Sequence, residues 1–147
     1  MGQLMLPTSG SIYIDTLVAI YTIEGNPDYY SLLQSLWSKF YAGEIQIISS
    51  ELILMEVLVV PLRNGNNSLV ANYEELLLSS QVQLITISQS ILRSAASLRA
   101  KSNLKTPDAI HAATVFSVNS NQFITNDKGF HNVPGLPVVI LSEVLAS

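Results

Sequence analysis

Short runs of aliphatic and β-branched residues alternate with stretches of helical periodicity along the chain, and this alternation restricts the fold more than any other feature. The runs are Ser11–Ile14, Gln46–Ile48, Val82–Ile87, Gln122–Ile124 and Pro137–Leu141. Each reads as a strand. Between the first two, Thr16–Tyr21 reads as a helix. A second follows, with Asn26 as N-cap, Pro27 as first helical residue and Tyr30, Leu33, Trp37 and Phe40 on one face. Ser49 or Ser50 caps a third helix that runs to about Val60. It is apolar on nearly every face, so burial is expected. Leu69–Leu78 is a fourth, with Glu74 and Glu75 outside, and Ser88 caps a fifth through Ile91, Leu92, Ala95 and Leu98. The last begins at Lys105-Thr106-Pro107-Asp108, with Thr106 as N-cap and Pro107 in the first helical position. Strands joined through helices imply an α/β chain with a parallel sheet covered on both faces. With no repeat and no linker, residues 1–147 are expected to form one domain.

Composition removes several function classes. There is no cysteine, which excludes disulfides, thiolate zinc sites and a cysteine nucleophile. Met1–Gly10 lacks the features of a signal peptide. The longest apolar stretch, Leu52–Val60, is interrupted by Glu56 and falls well short of the ~20 residues that cross a bilayer. The expectation is a soluble, cytoplasmic protein with no membrane contact. Charged residues are only 12% of the chain, and Tyr29, Tyr30, Trp37, Phe40 and Tyr41 cluster in one helical region. Aromatics are enriched at interfaces, so a homodimer is expected, the alternative being that these rings belong to the core.

Acidic residues are few, and four stand in telling places. Asp15 follows the first strand and Asp127 the fourth, the edge at which open parallel sheets bind ligands. Glu56 is the only charge between Glu51 and Arg63, in an apolar helix. Buried there without a partner it costs several kcal/mol. A metal ion removes that cost, as do a raised pKa, a serine or backbone donor, or an exposed strip. Asp108 lies in a first helical turn, where it serves either as a helix cap or as a metal ligand. Mg²⁺ and Mn²⁺ take oxygen ligands from a few carboxylates, with water and substrate phosphates completing the shell. A carboxylate cup with no dedicated nucleophile suits metal-activated hydrolysis of a phosphodiester.

Between Glu75 and Asp108 there is no acid, yet the span holds Arg93, Arg99, Lys101 and Lys105, four of the seven cations. They are candidate phosphate contacts, or else a solvated helix face. The net charge of −4 provides no general attraction to nucleic acid. His111 shares a face with Asp108 and is read as structural rather than as a general base; His131 lies in a loop. No Gly-x-Ser-x-Gly elbow, phosphate loop or dinucleotide fingerprint occurs.

The four acids, in this order, resemble the PIN-domain family of nucleases. The matching pieces are Ile12-Tyr13-Ile14-Asp15-Thr16, Ser49 through Val57, Thr106 through Ala113, and Phe123 through Phe130. The resemblance implies an α/β/α sandwich with a five-stranded parallel sheet, and Mg²⁺- or Mn²⁺-dependent cleavage of RNA. It further implies the toxin role of the VapC-like group, with a cognate antitoxin protein as partner. Asp15, Glu56, Asp108 and Asp127 match the acidic positions; Thr125 matches a hydroxyl position beside the site, and Thr16 follows the first acid. The family often has a small polar residue after that Asp-Thr pair, and here it is Leu17. Leu17 also stands where a haloacid-dehalogenase-like phosphatase needs its second Asp. The competing reading from another class is a catalytically silent PIN-like module that binds RNA or protein.

Overall fold

The computed structural model describes residues 2–147. In chain order the elements are β1 (Ser11–Ile14), α1 (Thr16–Ile23), α2 (Tyr30–Tyr41), β2 (Gln46–Ser50), α3 (Leu52–Arg63), α4 (Asn67–Leu78), β3 (Gln83–Ile85), α5 (Gln89–Lys101), α6 (Thr106–Val118), β4 (Gln122–Thr125) and β5 (Val138–Ile140). A 3-10 turn, Lys128–Asn132, precedes β5, and α7 (Leu141–Ala146) follows it. The five strands pair in the order β3-β2-β1-β4-β5, all parallel.

Alternation of side chains along each strand feeds two separate cores, which makes the structure a three-layer sandwich. Ile12 and Ile14 of β1, Ile47 of β2 and Ile124 of β4 face α1 to α4 and α7. Tyr13, Ile48 and Phe123 face α5 and α6. Ala109, Ala112 and Ala113 are buried, and their small size lets α6 lie close to the sheet and to α5. Successive crossovers carry the chain from β1 out to β3 and then back across β1 to β4. The order therefore reverses between β1 and β4, and the crevice beyond their carboxyl ends is the expected ligand site of such a sheet.

Several local readings change. Asn26 caps a turn, accepting from Asp28 N at 2.9 Å and Tyr29 N at 3.2 Å, and α2 starts only at Tyr30. Neither Ser49 nor Ser50 is the N-cap of α3: Glu51 holds that position without a side-chain bond, Ser49 Oγ donates to Ile14 O at 2.7 Å, and Ser50, still in β2, accepts from Leu52 N at 3.1 Å. Pro61 does not stop α3, which runs on to Arg63; a proline there has no N–H to give to Val57 O, so the helix carries one backbone bond fewer in its last turn. That helix is also only half buried: Met55, Val59, Val60 and Leu62 are exposed. Its uniform apolar composition conceals an inward face of Leu52, Ile53 and Val57 and an outward face with no partner among the described residues. Thr106 is not the N-cap of α6. Lys105 holds that position, and the Thr106 hydroxyl instead accepts from Arg99 Nη1 at 3.1 Å. No helix among the described residues is long and apolar enough to cross a membrane.

Candidate active site

Asp15 is fixed by the end of β1. As the chain leaves the sheet, Asp15 becomes the N-cap of α1, with Oδ1 accepting from Val18 N at 3.4 Å. Its other oxygen accepts from the Thr125 hydroxyl at the end of β4, the neighbouring strand. The carboxyl is buried, and burial pushes it up to about 6 against the opposing pull of the Thr125 and Val18 bonds. Thr125 Oγ1 also accepts from Asp127 N at 3.1 Å, so one hydroxyl ties Asp15 to the loop that carries Asp127. Asp127 is exposed and caps the 3-10 turn through Gly129 N at 2.8 Å. Asn126 steadies the same loop by accepting from Ser142 N at 2.8 Å and donating to Tyr21 Oη at 3.2 Å.

Glu56 reaches the same edge from α3. Its Oε1 accepts from Thr16 Oγ1 at 2.6 Å and lies 2.8 Å from His111 Nε2. Burial would raise this carboxyl, but the His111 and Thr16 bonds outweigh it and hold Glu56 below its ordinary value. Its second oxygen makes no hydrogen bond among the described residues. Leu17 is exposed and brings no hydrogen-bonding group to the site; the one hydroxyl that reaches Glu56 from α1 is that of Thr16.

Asp108 makes no capping bond. It is half-buried in the first turn of α6, yet its carboxylate accepts no hydrogen bond among the described residues, so it caps nothing. Burial, and then the charges of Asp127 and Glu56, raise it above the ordinary range. Asp108 and Asp127 line a cleft of about 180 Å³ together with Lys105 and Gly129. A larger hollow of about 600 Å³ lies elsewhere, between the ends of α2 and α4, and holds none of the four acids.

The donor set fits a hard divalent ion. All four side chains offer carboxylate oxygen, Asp108 and Glu56 Oε2 have no other partner among the described residues, and the neighbouring charges raise Asp108. No three acidic or imidazole groups among the described residues already surround one point. Mg²⁺ does not demand that they do, because it keeps several waters and binds through one or two carboxylates.

The basic run divides. Arg99 is committed to the α5–α6 joint, donating from Nε to Leu104 O at 3.0 Å and from Nη1 to Thr106. Arg93, Lys101 and Lys105 are exposed and pair with no acid among the described residues, and Lys105 stands at the cleft. In the aromatic cluster, Trp37 and Phe40 are core, whereas Tyr30 and Tyr41 are exposed. His111, expected to be structural, is buried with both ring nitrogens bonded, and its partner Tyr13 carries no role in the sequence pattern. Tyr13 lies fully buried between two isoleucines with its hydroxyl 2.7 Å from His111 Nδ1. A tyrosine in a strand buried on both faces needs a partner for its hydroxyl, and that need was the available clue.

Comparison with known proteins places these features in context. The sequence model of the PIN domain matches residues 12–136. The VapBC2 structure from Rickettsia felis, bound to a DNA fragment from its promoter, is similar in fold with a TM-score of 0.71 and 19% identity, over 88% of this chain and 98% of that one. A toxin–antitoxin complex from Klebsiella pneumoniae is similar at a TM-score of 0.63 and 27% identity, over 87% and 95%. VapBC-5 of the VapBC toxin–antitoxin family from Mycobacterium tuberculosis gives 0.56 and 20%, over 92% and 98%. No curated protein sequence matches the chain significantly.

Proposed function

The chain belongs to the PIN domain family, and from that premise we propose that it is a Mg²⁺- or Mn²⁺-dependent endoribonuclease, the toxin half of a toxin–antitoxin pair. The observation that carries this reading is that Asp15 and Asp127 follow β1 and β4, that Glu56 lies near enough for its charge to act on Asp15 and Asp108, and Asp127 near enough to act on Asp108, and that Asp108 accepts no hydrogen bond among the described residues. These four side chains would hold the ion. The chemistry it supplies when bound is Lewis-acid activation of water and neutralisation of phosphate charge.

The chain's own residues prepare the rest. Thr125 and Val18 N hold both Asp15 oxygens in place, and Thr16 and His111 do the same for one oxygen of Glu56. Lys105 brings a cation to the mouth of the cleft, where a phosphate of the RNA would lie. The test is cleavage of a mixed RNA pool by the purified protein. Mg²⁺ or Mn²⁺ should support it, and chelator should stop it. Cleavage that survives exhaustive chelation refutes the mechanism.

Arg93 and Lys101 extend the phosphate-binding surface along α5. Replacing both by Gln should weaken RNA binding and reduce the slope of log affinity against log salt by about 1.4, since a single strand releases ~0.7 counterions per contact. An unchanged slope assigns both to a solvated face. Arg99→Gln should instead lower stability, because that side chain holds the α5–α6 joint.

A homodimer and an antitoxin would share the exposed apolar surface. Met55, Val59, Val60 and Leu62 on α3, with Tyr30 and Tyr41 on α2, leave that surface uncovered. Sedimentation at micromolar concentration should show a dimer, and a clean monomer counts against it.

A further inference from the structure

Four elements meet in one hydrogen-bonded chain beside the carboxylates. Tyr13 of β1 lies 2.7 Å from His111 Nδ1 of α6, His111 Nε2 lies 2.8 Å from Glu56 Oε1 of α3, and Thr16 of α1 donates to that same oxygen at 2.6 Å. Only one assignment of hydrogens to the neutral ring satisfies every contact. A carboxylate oxygen only accepts, so Nε2 carries the hydrogen and donates to Glu56. That leaves Nδ1 with a lone pair, which accepts from the Tyr13 hydroxyl. Burial holds Tyr13 as the phenol that this requires. The ring itself cannot swing away: it is buried, and Tyr13 meets it edge-on at 5.8 Å between centroids.

The pattern on Glu56 is one-sided. Both donors converge on Oε1, and Oε2 accepts nothing among the described residues. Glu56 is only partly buried, so Oε2 stays open to water or to a ligand while Oε1 is fully engaged. We propose that His111 is a positioning residue which, held by Tyr13, ties down Oε1 of Glu56 and thereby reserves Oε2 for the divalent ion. This rests on the metal-dependent nuclease reading above. Groups that orient a metal-binding side chain are worth ~10–100-fold in metal affinity.

Two substitutions separate this role from packing. His111→Asn keeps an acceptor for the Tyr13 hydroxyl but is too short to reach Glu56. His111→Gln carries an amide N–H near the place of Nε2 and so restores the bond to Glu56. Binding of Mn²⁺ alone, followed by electron paramagnetic resonance of the free ion, should weaken ~10–100-fold in His111→Asn and recover most of that loss in His111→Gln. Thermal melting in chelator reports whether each variant folds. A second measurement needs no substitution. The chain has two histidines, and ¹H–¹⁵N spectra of the wild type should show the His111 Nε2–H signal moving as Mg²⁺ saturates the protein. His131, bonded to Glu143 on the surface, is the control that stays still. Equal Mn²⁺ affinity in wild type and His111→Asn, or a His111 signal indifferent to saturating Mg²⁺, overturns the positioning role while leaving the nuclease reading intact. A wild type that neither binds Mn²⁺ nor cleaves RNA overturns the nuclease reading, and this inference falls with it.

Discussion

Asp108→Asn is expected to reduce RNA cleavage by ~100-fold or more while leaving the metal-free protein as stable as the wild type, or more so. On the proposed mechanism the loss of activity follows from removing one ligand of an ion that would contribute several kcal/mol at the transition state. The stability result follows from the surroundings of Asp108. Its carboxylate is half-buried, accepts no hydrogen bond among the described residues, and is raised by burial and then by the charge of Asp127. Asparagine keeps the shape and removes the like charge. The opposing term is the favourable position of a carboxylate in the first turn of α6, worth ~0.3–1 kcal/mol. Melting both proteins in chelator checks the balance. A fall of more than about 4 °C in Asp108→Asn, roughly 1 kcal/mol for a chain of this size, would show that the residue is structural.

The second large effect is a dependence of metal-free stability on pH. Burial raises the Asp15 carboxyl from 3.8 to about 6. A carboxyl raised on folding binds more protons in the native than in the unfolded state, so stability falls as pH rises from about 4 to about 6. Two units correspond to ~3 kcal/mol, an order of magnitude for one buried group. Asp108 acts in the same sense. Glu56 acts in the opposite sense but at lower pH, because the His111 and Thr16 bonds hold it below the ordinary value of 4.5. Comparing wild type with Asp15→Asn isolates the Asp15 share. Melting temperatures in chelator should rise for wild type between pH 7 and pH 5 by more than for Asp15→Asn. At pH 7, Mn²⁺ at about 100 times its dissociation constant should restore ~2.7 kcal/mol to the wild type. Parallel pH profiles for the two proteins would place the Asp15 cost elsewhere.

Most of the fold was legible because strand and helix periods differ so clearly. Ile12-Tyr13-Ile14 and Phe123-Ile124 could be recognised as strands buried on both faces, and helices between them made the sheet parallel. Strand order was not legible, because which side of β1 a returning strand takes is decided by packing between distant helices. The exposure of Val59 and Val60 was hidden for a related reason: a uniformly apolar helix has no polar face to announce its outer side. At the site, the acids themselves could be read from strand ends and apolar context. The role of Asp108 could not, since a cap and a ligand look alike within a first turn. In the structure the Thr106 hydroxyl goes to Arg99, Lys105 becomes the N-cap, and Asp108 accepts no hydrogen bond among the described residues. The Tyr13–His111–Glu56 chain lay beyond sequence reasoning because its members are 98 and 55 residues apart and meet only through the sheet.

The proposed divalent-cation site draws carboxylates from four different segments. A Mn²⁺ binding isotherm on the wild type, with Asp15→Asn and Asp108→Asn alongside, tests it most directly. The expected result is saturable binding to the wild type that each substitution weakens at least tenfold, although Asp15 lies at the end of β1 and Asp108 at the start of α6. Binding that is absent from the wild type, or that both substitutions leave unchanged, would contradict it.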